Sequence, residues 1–356
     1  MGDTPRGQVF VIHSSYTQHY HVPSCPPRTK TPPRPPTTKP TVLITGCSDG
    51  GLGSALALAF HDAGFHLYAY AAAAHRPGGL ETLPLDVESA ASIAACVPRV
   101  PRLDVLVNNA GAMMTMPVAD VAIAQAKAIF DVNVWGVLAV TQAFLPLLLE
   151  SARRRRRESG TGVGVGGIVA VNTSVASTVP VPFYGVYGAS KAAMAMLCDT
   201  MRLELEAFGV HVVELKTGAV GPTRLIANNT SLLQSQSQSQ SLASPNTTTT
   251  TAPILPEKSI YAPAREVVEG IMRRGYDGAW MPPAEWARQV VQDLSGGGGK
   301  GKAPARIWRG KSALLGWLVQ FLPSALVAGS VKRETKYTQV EEILRLARTY
   351  PGNDAE

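Results

Sequence analysis

The sequence predicts an α/β fold, a doubly wound parallel sheet with helices on both faces. Short apolar, β-branched stretches alternate along the chain with longer helix-like stretches, beginning with a strand at 41–45, a helix at 53–63 and a strand at 65–71. The first apolar stretch also runs directly into a glycine-rich segment that opens the first helix. Strands that alternate with helices form a parallel sheet that is covered on both faces.

The later elements follow the same alternation, with one irregularity. Only about eleven residues, including Pro77-Gly78-Gly79, separate the strand at 65–71 from the next apolar stretch. A parallel crossover needs about a dozen residues or more, usually with a helix, so we expect a stunted second crossover and a weakened sheet edge. The remaining strands are predicted at 83–87, 104–108, 168–172 and 211–215, and the remaining helices at 119–132, 134–150 and 187–208, with a helical extension after them.

Charge and cysteine content exclude several classes of protein. The net charge is +7, but the basic residues lie mainly in the N-terminal segment, in Arg153 to Arg157 and near the C-terminus. No basic helix carries interleaved aromatic residues, so nucleic-acid binding is not predicted. The 4 cysteines form no CxxC pair, so we predict no metal site, no disulfide scaffold and a reducing compartment. Residues 1–40 lack the apolar run of a secretory signal.

A glycine-rich loop, Gly46-Cys47-Ser48-Asp49-Gly50-Gly51-Leu52-Gly53, follows the first strand. Glycines there let the backbone approach a pyrophosphate, and the N-terminus of the following helix offers free N–H groups and partial positive charge. The loop therefore predicts a dinucleotide site. Gly46 to Gly50 also fits the GxSxG elbow of lipases, which requires a later Asp and His. His211 is the plausible histidine inside the core, so a lipase is an alternative interpretation.

Tyr187 and Lys191 are four residues apart in a predicted helix, so both side chains lie on one helix face. A neighbouring ammonium favours the phenolate, which predicts a Tyr187 pKa lowered toward neutral pH and a phenol that can exchange a proton. Ser174 lies thirteen residues before Tyr187, just after the strand GIVAVN. This spacing makes the three residues a candidate catalytic set.

The loop and this set together resemble the classical short-chain dehydrogenase/reductase family, whose fold is Rossmann-type. The resemblance implies that Ser174 hydrogen-bonds a substrate carbonyl, that Tyr187 protonates it as hydride arrives, and that Lys191 also binds the ribose hydroxyls. Asn133, in DVNVWG, matches the family's asparagine that supports a proton-relay water. Family members form dimers or tetramers, so a homo-oligomer is a further expectation.

The resemblance also implies the cofactor-binding positions and the cofactor, NADP(H). No acidic residue follows the second strand, which argues against NADH, although Arg76 is displaced from the family's usual arginine position. Pro222 occupies the usual threonine position, and Thr223 is a displaced substitute. The implied positions are Gly46, Ser48, Asp49, Gly51, Leu52, Gly53, Asp86, Val87, Asn109, Ala110, Gly111, Tyr187, Lys191, Val220 and Thr223.

Three later segments resemble fungal NADPH-dependent 1-acyldihydroxyacetone phosphate reductases: Ser259-Ile260-Tyr261, residues 281–289 and Ile307-Trp308-Arg309-Gly310. This narrower resemblance implies reduction of the keto group of an acylated glycerol precursor in phosphatidic acid synthesis. It also implies a location on the cytoplasmic face of the endoplasmic reticulum or of a lipid droplet, with the cytosol as the alternative.

The apolar stretch 313–331 is interrupted by Pro323 and has basic flanks. This composition predicts a segment that lies in a membrane interface. A lid over the substrate pocket, or a dimer contact, is the alternative.

The predicted function is NADPH-dependent reduction of a ketone to a secondary alcohol on a hydrophobic, acylated substrate. The alternatives are a reductase of steroid-like or polyketide ketones and a non-catalytic, nucleotide-binding membrane scaffold. The predicted organisation is a disordered leader at 1–40, a dinucleotide-binding catalytic domain at 41–225 with a loop insertion at 153–167, a low-complexity insertion at 226–258, substrate-side helices at 259–300 and an apolar, basic C-terminal extension at 301–356.

Overall fold

The computed structural model describes residues 39–69, 80–159, 166–229, 253–274, 280–296 and 303–349. Its centre is a seven-stranded sheet of order β3-β2-β1-β4-β5-β6-β7, and every neighbouring pair is parallel. The doubly wound α/β prediction is confirmed. The strands are β1 (Thr41–Ile44), β2 (His66–Ala69), β3 (Leu80–Thr82), β4 (Val105–Asn108), β5 (Ile168–Asn172), β6 (His211–Thr217) and β7 (Arg306–Arg309).

Helices cover both faces of the sheet because successive strand side chains point to opposite sides. On one face, Val42 and Val105 pack with Trp286 of α7. On the other face, Leu43 and Leu106 pack in a cluster with α4 and α5. The helices are α1 (Leu52–Asp62), α2 (Ala90–Cys96), α3 (Ile123–Phe130), α4 (Val137–Ser159), α5 (Gly185–Glu206), α6 (Arg265–Arg274), α7 (Pro283–Leu294), α8 (Ala313–Val319), α9 (Ser324–Glu334) and α10 (Tyr337–Thr349).

The strand order reverses between β1 and β4, which are neighbours in the sheet. In open α/β sheets, ligands bind outside the carboxyl ends of the strands at this switch point. A third apolar cluster, separate from the two that cover the sheet faces, joins Met114, Met116 and Phe183 to Met272 of α6 and Val340 of α10.

Most predicted boundaries agree with the structure, because they depend on local signals. β5 spans the predicted residues, and Gly64 and Gly209 follow α1 and α5 with φ of 83° and 77°. The strand predicted at 83–87 is wrong: the paired strand is β3, at Leu80–Thr82. Pro84 offers no N–H to a sheet ladder, so pairing stops before it. The crossover at 70–79 lies outside the described residues.

The predicted loop at 153–167 is also wrong over its first half, because α4 continues to Ser159. Arginine is a good helix former, and Arg153, Arg154 and Arg155 each have a partner on the protein, Arg153 through an ion pair with Glu150 at 3.6 Å. Arg154 Nη2 lies 3.0 Å from Asp104 Oδ1, and Arg155 Nη2 donates to Gly209 O at 2.8 Å. Residues 160–165 lie outside the described part. The predicted helices at 119–132 and 134–150 form one helical run, which begins at Ile123 and has a π-helical turn at Asp131–Gly136.

Two domain boundaries require correction. The C-terminal extension is not separate, because β7 pairs with β6 in the central sheet. The low-complexity insertion ends before 254, since Ile254 and Leu255 are buried in the third apolar cluster. Helix α7, at the end of the predicted substrate-side segment, packs against the sheet face that α1 also covers. The predicted disordered leader lies almost entirely in 1–38, outside the described residues.

Candidate active site

The glycine-rich loop is built so tightly that side chains would not fit at two positions. Gly46 has φ of 70°, and a Cβ on it would lie 2.6 Å from Ala110 Cα. A Cβ on Gly53 would lie 2.4 Å from Gly46 O and 2.6 Å from Asn109 Nδ2. The N-cap of α1 is Gly51, with no side-chain cap. The N-terminus of α1 therefore presents backbone N–H groups toward the loop, which suits an anionic pyrophosphate.

Side-chain hydrogen bonds tie together the carboxyl ends of four strands. Thr45 Oγ1 accepts from the backbone N–H groups of Asn109 and Ala110, each at 3.0 Å, and Asn109 Nδ2 donates to Thr45 O at 3.0 Å. Asn172 Nδ2 donates to Asn109 Oδ1 at 3.0 Å, and Thr217 Oγ1 donates to Asn172 Oδ1 at 2.6 Å. We call these four residues, Thr45, Asn109, Asn172 and Thr217, the strand-end network.

Sequence reasoning missed three members of the strand-end network. Thr45 follows the last residue of β1, and Asn172 and Thr217 are the last residues of β5 and β6. Each is a polar residue at the end of an apolar strand. This shared position is the signal that could have revealed them, since ligands bind at that edge.

Lys191 is hydrogen-bonded to the strand-end network through Asn172. It is 6% exposed, its Nζ donates to Asn172 O at 2.9 Å, and Nζ lies 5.8 Å from the centroid of the Tyr187 ring. The two side chains thus share one face of α5, as their spacing predicts. Burial lowers the pKa of Lys191 to about 8, because a desolvated ammonium is disfavoured.

Tyr187 is buried, and burial raises the pKa of its phenol, while a hydrogen bond with Ser174 opposes that shift. The prediction of a lowered Tyr187 pKa is therefore wrong, because burial raises this pKa. Desolvation outweighs the hydrogen bond, and the Lys191 ammonium is directed at a carbonyl rather than at the phenol oxygen. The phenol consequently holds its proton at neutral pH.

Ser174 and Asn133, the other two predicted catalytic residues, lie close to Tyr187 and Lys191. Ser174 caps the short 3₁₀ turn Val175–Ser177, and its Oγ accepts from Ala176 N at 3.1 Å. Asn133 lies in the π-helical turn and exchanges hydrogen bonds with the backbone of Ala112 at 2.8 and 2.9 Å. A Cβ on Gly111 would lie 3.1 Å from Asn133 Oδ1 and 3.3 Å from Lys191 Nζ. A bare glycine thus separates the two polar groups.

The remaining predicted cofactor positions fall in two places. The loop after β6 meets the glycine-rich loop, since the N–H of Arg224 donates to Gly50 O at 3.2 Å, and both Val220 and Thr223 are buried there. Asp86 lies before α2, where its backbone N–H donates to Ser92 Oγ at 2.8 Å. The carbonyl of Val87 faces Gly136. Residues 70–76, on which the NADPH prediction depends, lie outside the described part.

The lipase alternative fails on geometry. Ser48 lies beyond the carboxyl end of β1, whereas His211 is the first residue of β6 and lies at the opposite edge of the sheet. His211 Nε2 contacts Arg155 Nη2 at 3.0 Å. A nucleophile and its base must be within hydrogen-bond reach, and this pair is separated by the length of the sheet.

Fold and site together define a dinucleotide-dependent oxidoreductase with a serine, a tyrosine and a lysine beside the cofactor loop. Residues 40–232 match the family model described as short chain dehydrogenase. The chain belongs to the short-chain dehydrogenase/reductase family and is an oxidoreductase of that family, which binds NAD(P)H.

Individual relatives cover most of the chain. A short-chain dehydrogenase/reductase of Pestalotiopsis microspora is 42% identical over 87% of this chain and 98% of its own. The NADPH-dependent 1-acyldihydroxyacetone phosphate reductase of Schizosaccharomyces pombe is 34% identical over 82% of this chain and 92% of its own. A solved short-chain dehydrogenase from Streptomyces avermitilis shares the fold with a TM-score of 0.58 and 22% identity, covering 85% of this chain and 98% of that one.

The glycine geometry generates a prediction. Gly53→Ala places a methyl group 2.4 Å from Gly46 O, so the loop must move away from α1. We expect at least a roughly tenfold weaker Kd for NADPH, measured by nicotinamide fluorescence, because about 1.4 kcal/mol of lost contact is tenfold in affinity. Gly329→Ala is the matched control, since a Cβ at this helical glycine meets nothing within 4 Å. Equal Kd values for both variants would contradict the tight-loop account.

Proposed function

We propose that the protein uses NADPH to reduce a ketone to a secondary alcohol on a hydrophobic substrate, with acylated dihydroxyacetone phosphate as the first candidate. The observation that carries the proposal is a buried phenol, hydrogen-bonded to Ser174 and with its ring centroid 5.8 Å from the buried ammonium of Lys191. When bound, the nicotinamide supplies the hydride that reduces the carbonyl carbon. The protein must supply a proton to the carbonyl oxygen.

Tyr187 is the proton donor in this proposal. Its raised pKa keeps the phenol protonated at neutral pH, and its O–H bond breaks as the new O–H bond of the alcohol forms. The Ser174 oxygen already accepts one hydrogen bond from Ala176 N, so its own proton is oriented toward other acceptors, including a substrate carbonyl. Lys191, 5.8 Å from the phenol ring centroid, stabilises the phenolate that proton transfer leaves behind.

The surroundings of Tyr187 support an apolar substrate. Tyr184 stacks edge-on against Tyr187 with ring centroids 6.3 Å apart. Its neighbour Phe183 is buried in the third apolar cluster, which also contains Met114 and Met116. Methionine and aromatic side chains form adaptable apolar surfaces. Apolar surroundings of this kind suit an acyl chain, a steroid or a polyketide, and the 34% identity to an acyldihydroxyacetone phosphate reductase supports the acylated ketone as the first candidate.

NADPH is the proposed cofactor for two reasons. The segment after β2 reads Tyr70-Ala71-Ala72-Ala73-Ala74-His75-Arg76, without the acidic residue that would bind the ribose 2′-hydroxyl of NADH. A relative similar over most of the chain is named for its dependence on NADPH.

Replacement of the proposed acid gives the most specific test of function. Tyr187→Phe removes the transferable proton but keeps the ring. We expect kcat for NADPH-dependent ketone reduction to fall by roughly 100- to 10,000-fold, the usual contribution of general acid catalysis. Tyr184→Phe is the matched control and should leave kcat within about threefold, because that phenol, with a pKa raised to about 12 by burial, only lines the pocket in this proposal.

The substrate panel for this test contains an acylated dihydroxyacetone phosphate, a steroid ketone and a polyketide-type ketone. Highest kcat/KM on the first supports the narrower proposal, and highest kcat/KM on either other ketone contradicts it. Equal rates for wild type and Tyr187→Phe on every ketone would overturn the proposed mechanism.

We also propose that the C-terminal helices bind the surface of an anionic membrane, on the cytoplasmic face of the endoplasmic reticulum or of a lipid droplet. Helices α8 and α9 form an exposed apolar ridge that no described residue covers, and such ridges mark interaction surfaces. Residues 303–333 contain no acidic residue, while Lys311, Lys332 and Arg333 flank the ridge, which suits anionic headgroups. The ridge consists of Leu314, Leu315, Trp317, Leu318, Phe321, Leu322 and Leu326, which are 43% to 70% exposed.

The proposed association is peripheral. The two ridge helices end at Val319 and begin again at Ser324, and each is too short to cross a bilayer, which takes about 20 residues. Among the described residues, the run Ile123–Glu158 is long and apolar enough to span by length and composition. Its residues Val140, Phe144 and Leu148 are buried against the sheet, as in a core helix.

Flotation with vesicles tests the apolar ridge. The triple variant Trp317→Ser, Phe321→Ser, Leu322→Ser should bind phosphatidylcholine–phosphatidylserine vesicles at least roughly tenfold more weakly, since each large apolar side chain contributes about 1.5–3 kcal/mol when buried. A control triple at exposed apolar positions elsewhere, Ile123→Ser, Leu203→Ser, Phe208→Ser, should bind as wild type does. Equal binding of both triples, or a ridge variant that changes only the oligomeric state, would contradict the membrane proposal.

A further inference from the structure

A buried ion pair lies next to residues 173–177, which we call the Ser174 turn, and is not part of the catalytic set. Glu214 and Lys216, two residues apart on β6, point to the same side of the sheet. Lys216 Nζ lies 2.9 Å from Glu214 Oε1, and the two side chains are 7% and 1% exposed. Transfer of each charge out of water costs several kcal/mol, and the attraction between the two charges must offset this cost. Stabilisation of the fold is therefore a weak explanation for the pair. Its hydrogen bonds indicate a second role, in positioning the Ser174 turn.

The ammonium of Lys216 holds the C-terminal end of the Ser174 turn. Lys216 Nζ donates to Ser177 Oγ at 2.7 Å and contacts Thr178 Oγ1 at 3.3 Å. The Ser177 hydroxyl in turn donates to the backbone carbonyl of Ser174. Lys216 is therefore two hydrogen bonds away from the residue that contacts the phenol of Tyr187.

The carboxylate of Glu214 holds the other end of the same turn. Its Oε1 accepts from Thr173 Oγ1 at 2.8 Å, and Thr173 directly precedes Ser174. Its Oε2 lies 3.3 Å from Arg306 Nε of β7. The ion pair thus fixes the backbone on both sides of Ser174 and connects it to the strand contributed by the C-terminal segment.

The C-terminal segment also packs around the ion pair and the Ser174 turn. The ring of Trp308 covers Lys216, with Nζ 5.6 Å from the ring centroid. A Cβ on Gly316 of α8 would lie 3.1 Å from Val175 Cγ1 and 3.5 Å from Trp308. The Ser174 turn therefore has the ion pair on one side and the start of the apolar ridge on the other.

We propose that Lys216, paired with Glu214, is a positioning residue that holds Thr173 to Ser177 so that the Ser174 hydroxyl meets Tyr187. The effect on rate follows from geometry, because a displacement of about 1 Å at a reacting group can cost roughly 100-fold in rate. This inference rests on the proposed function, since it assigns Lys216 to the same reaction.

Lys216→Met keeps the length of the side chain but removes the cation and its hydrogen bonds. We expect kcat for ketone reduction to fall by roughly 10- to 100-fold, with the Kd for NADPH unchanged, because the glycine-rich loop does not contact this pair. Lys216→Arg restores a cation and donors and should recover most of kcat. Ser177→Ala leaves the ion pair intact and removes only the link to Ser174, so it should reproduce the loss of kcat even if Lys216→Met folds poorly.

Arg309→Met is the matched control, because it removes another ion pair of β7, in which Arg309 Nε lies 2.8 Å from Asp293 Oδ2, on the side away from Ser174. It should leave kcat unchanged. Wild-type kcat in both Lys216→Met and Ser177→Ala would overturn the proposal. An equal loss in Arg309→Met would also overturn it, because the effect would then be a general loosening of the C-terminal strand.

A crystal structure of Lys216→Met separates this proposal from the proposed function. We expect the Ser174 hydroxyl to be displaced from Tyr187 in the variant, a result that requires no substrate. An unmoved Ser174 would refute the positioning role whatever the activity. Displacement of Ser174, together with a wild-type protein that reduces no ketone, would refute the proposed function and leave the structural assignment of Lys216 intact.

Discussion

The site depends on hydrogen bonds between the carboxyl ends of four parallel strands. Where buried strands end, backbone and side-chain polar groups leave the ladder and need new partners, because an unpaired buried group costs about 1–3 kcal/mol. Asn109 and Asn172 provide those partners, each with donor and acceptor atoms that bond to neighbouring strand ends. The same bonds that satisfy the sheet edge therefore fix the loops on which binding and catalysis depend.

The position and the charge of Lys191 depend on this edge of the sheet. Its ammonium is bound to Asn172 O, so the strand-end network decides where the charge lies relative to Tyr187. Burial raises the pKa of the phenol and lowers that of the ammonium. The first shift keeps a proton available for donation at neutral pH. The second leaves the stabilising charge present below about pH 8 and absent well above it.

Local signals in the sequence were sufficient for much of this architecture. Apolar stretches located β1, β4 and β5, glycines with positive φ located two helix ends, and the spacing of Ser174, Tyr187 and Lys191 grouped side chains that the fold brings together. The failures involve partners distant in sequence. Arg154 and Arg155 are indistinguishable from solvated charges until Asp104 and Gly209 are placed beside them. Likewise β7, with the sequence RIWR, is recognisable as a strand only once β6 is there to pair with it.

The C-terminal segment links the different parts of the account. It adds a strand to the sheet, supplies Arg306 and Trp308 to the ion pair behind Ser174, and continues into the apolar ridge. The C-terminal segment packs beside the Ser174 turn before it reaches the apolar ridge. It therefore connects the proposed lipid contact to the catalytic residues. The C-terminal segment is therefore part of the catalytic domain and not a dispensable tail.

The pH dependence of kcat/KM for ketone reduction tests the central claim most directly, because it reports the ionisation of the free enzyme. The Tyr187 phenol, with its raised pKa, stays protonated across the range, so the Lys191 charge determines the profile. We predict that kcat/KM is constant near neutral pH and falls as pH rises through about 8, where Lys191 loses its proton. A profile that stays flat well into the alkaline range would contradict it, since the reaction would then not need the buried ammonium.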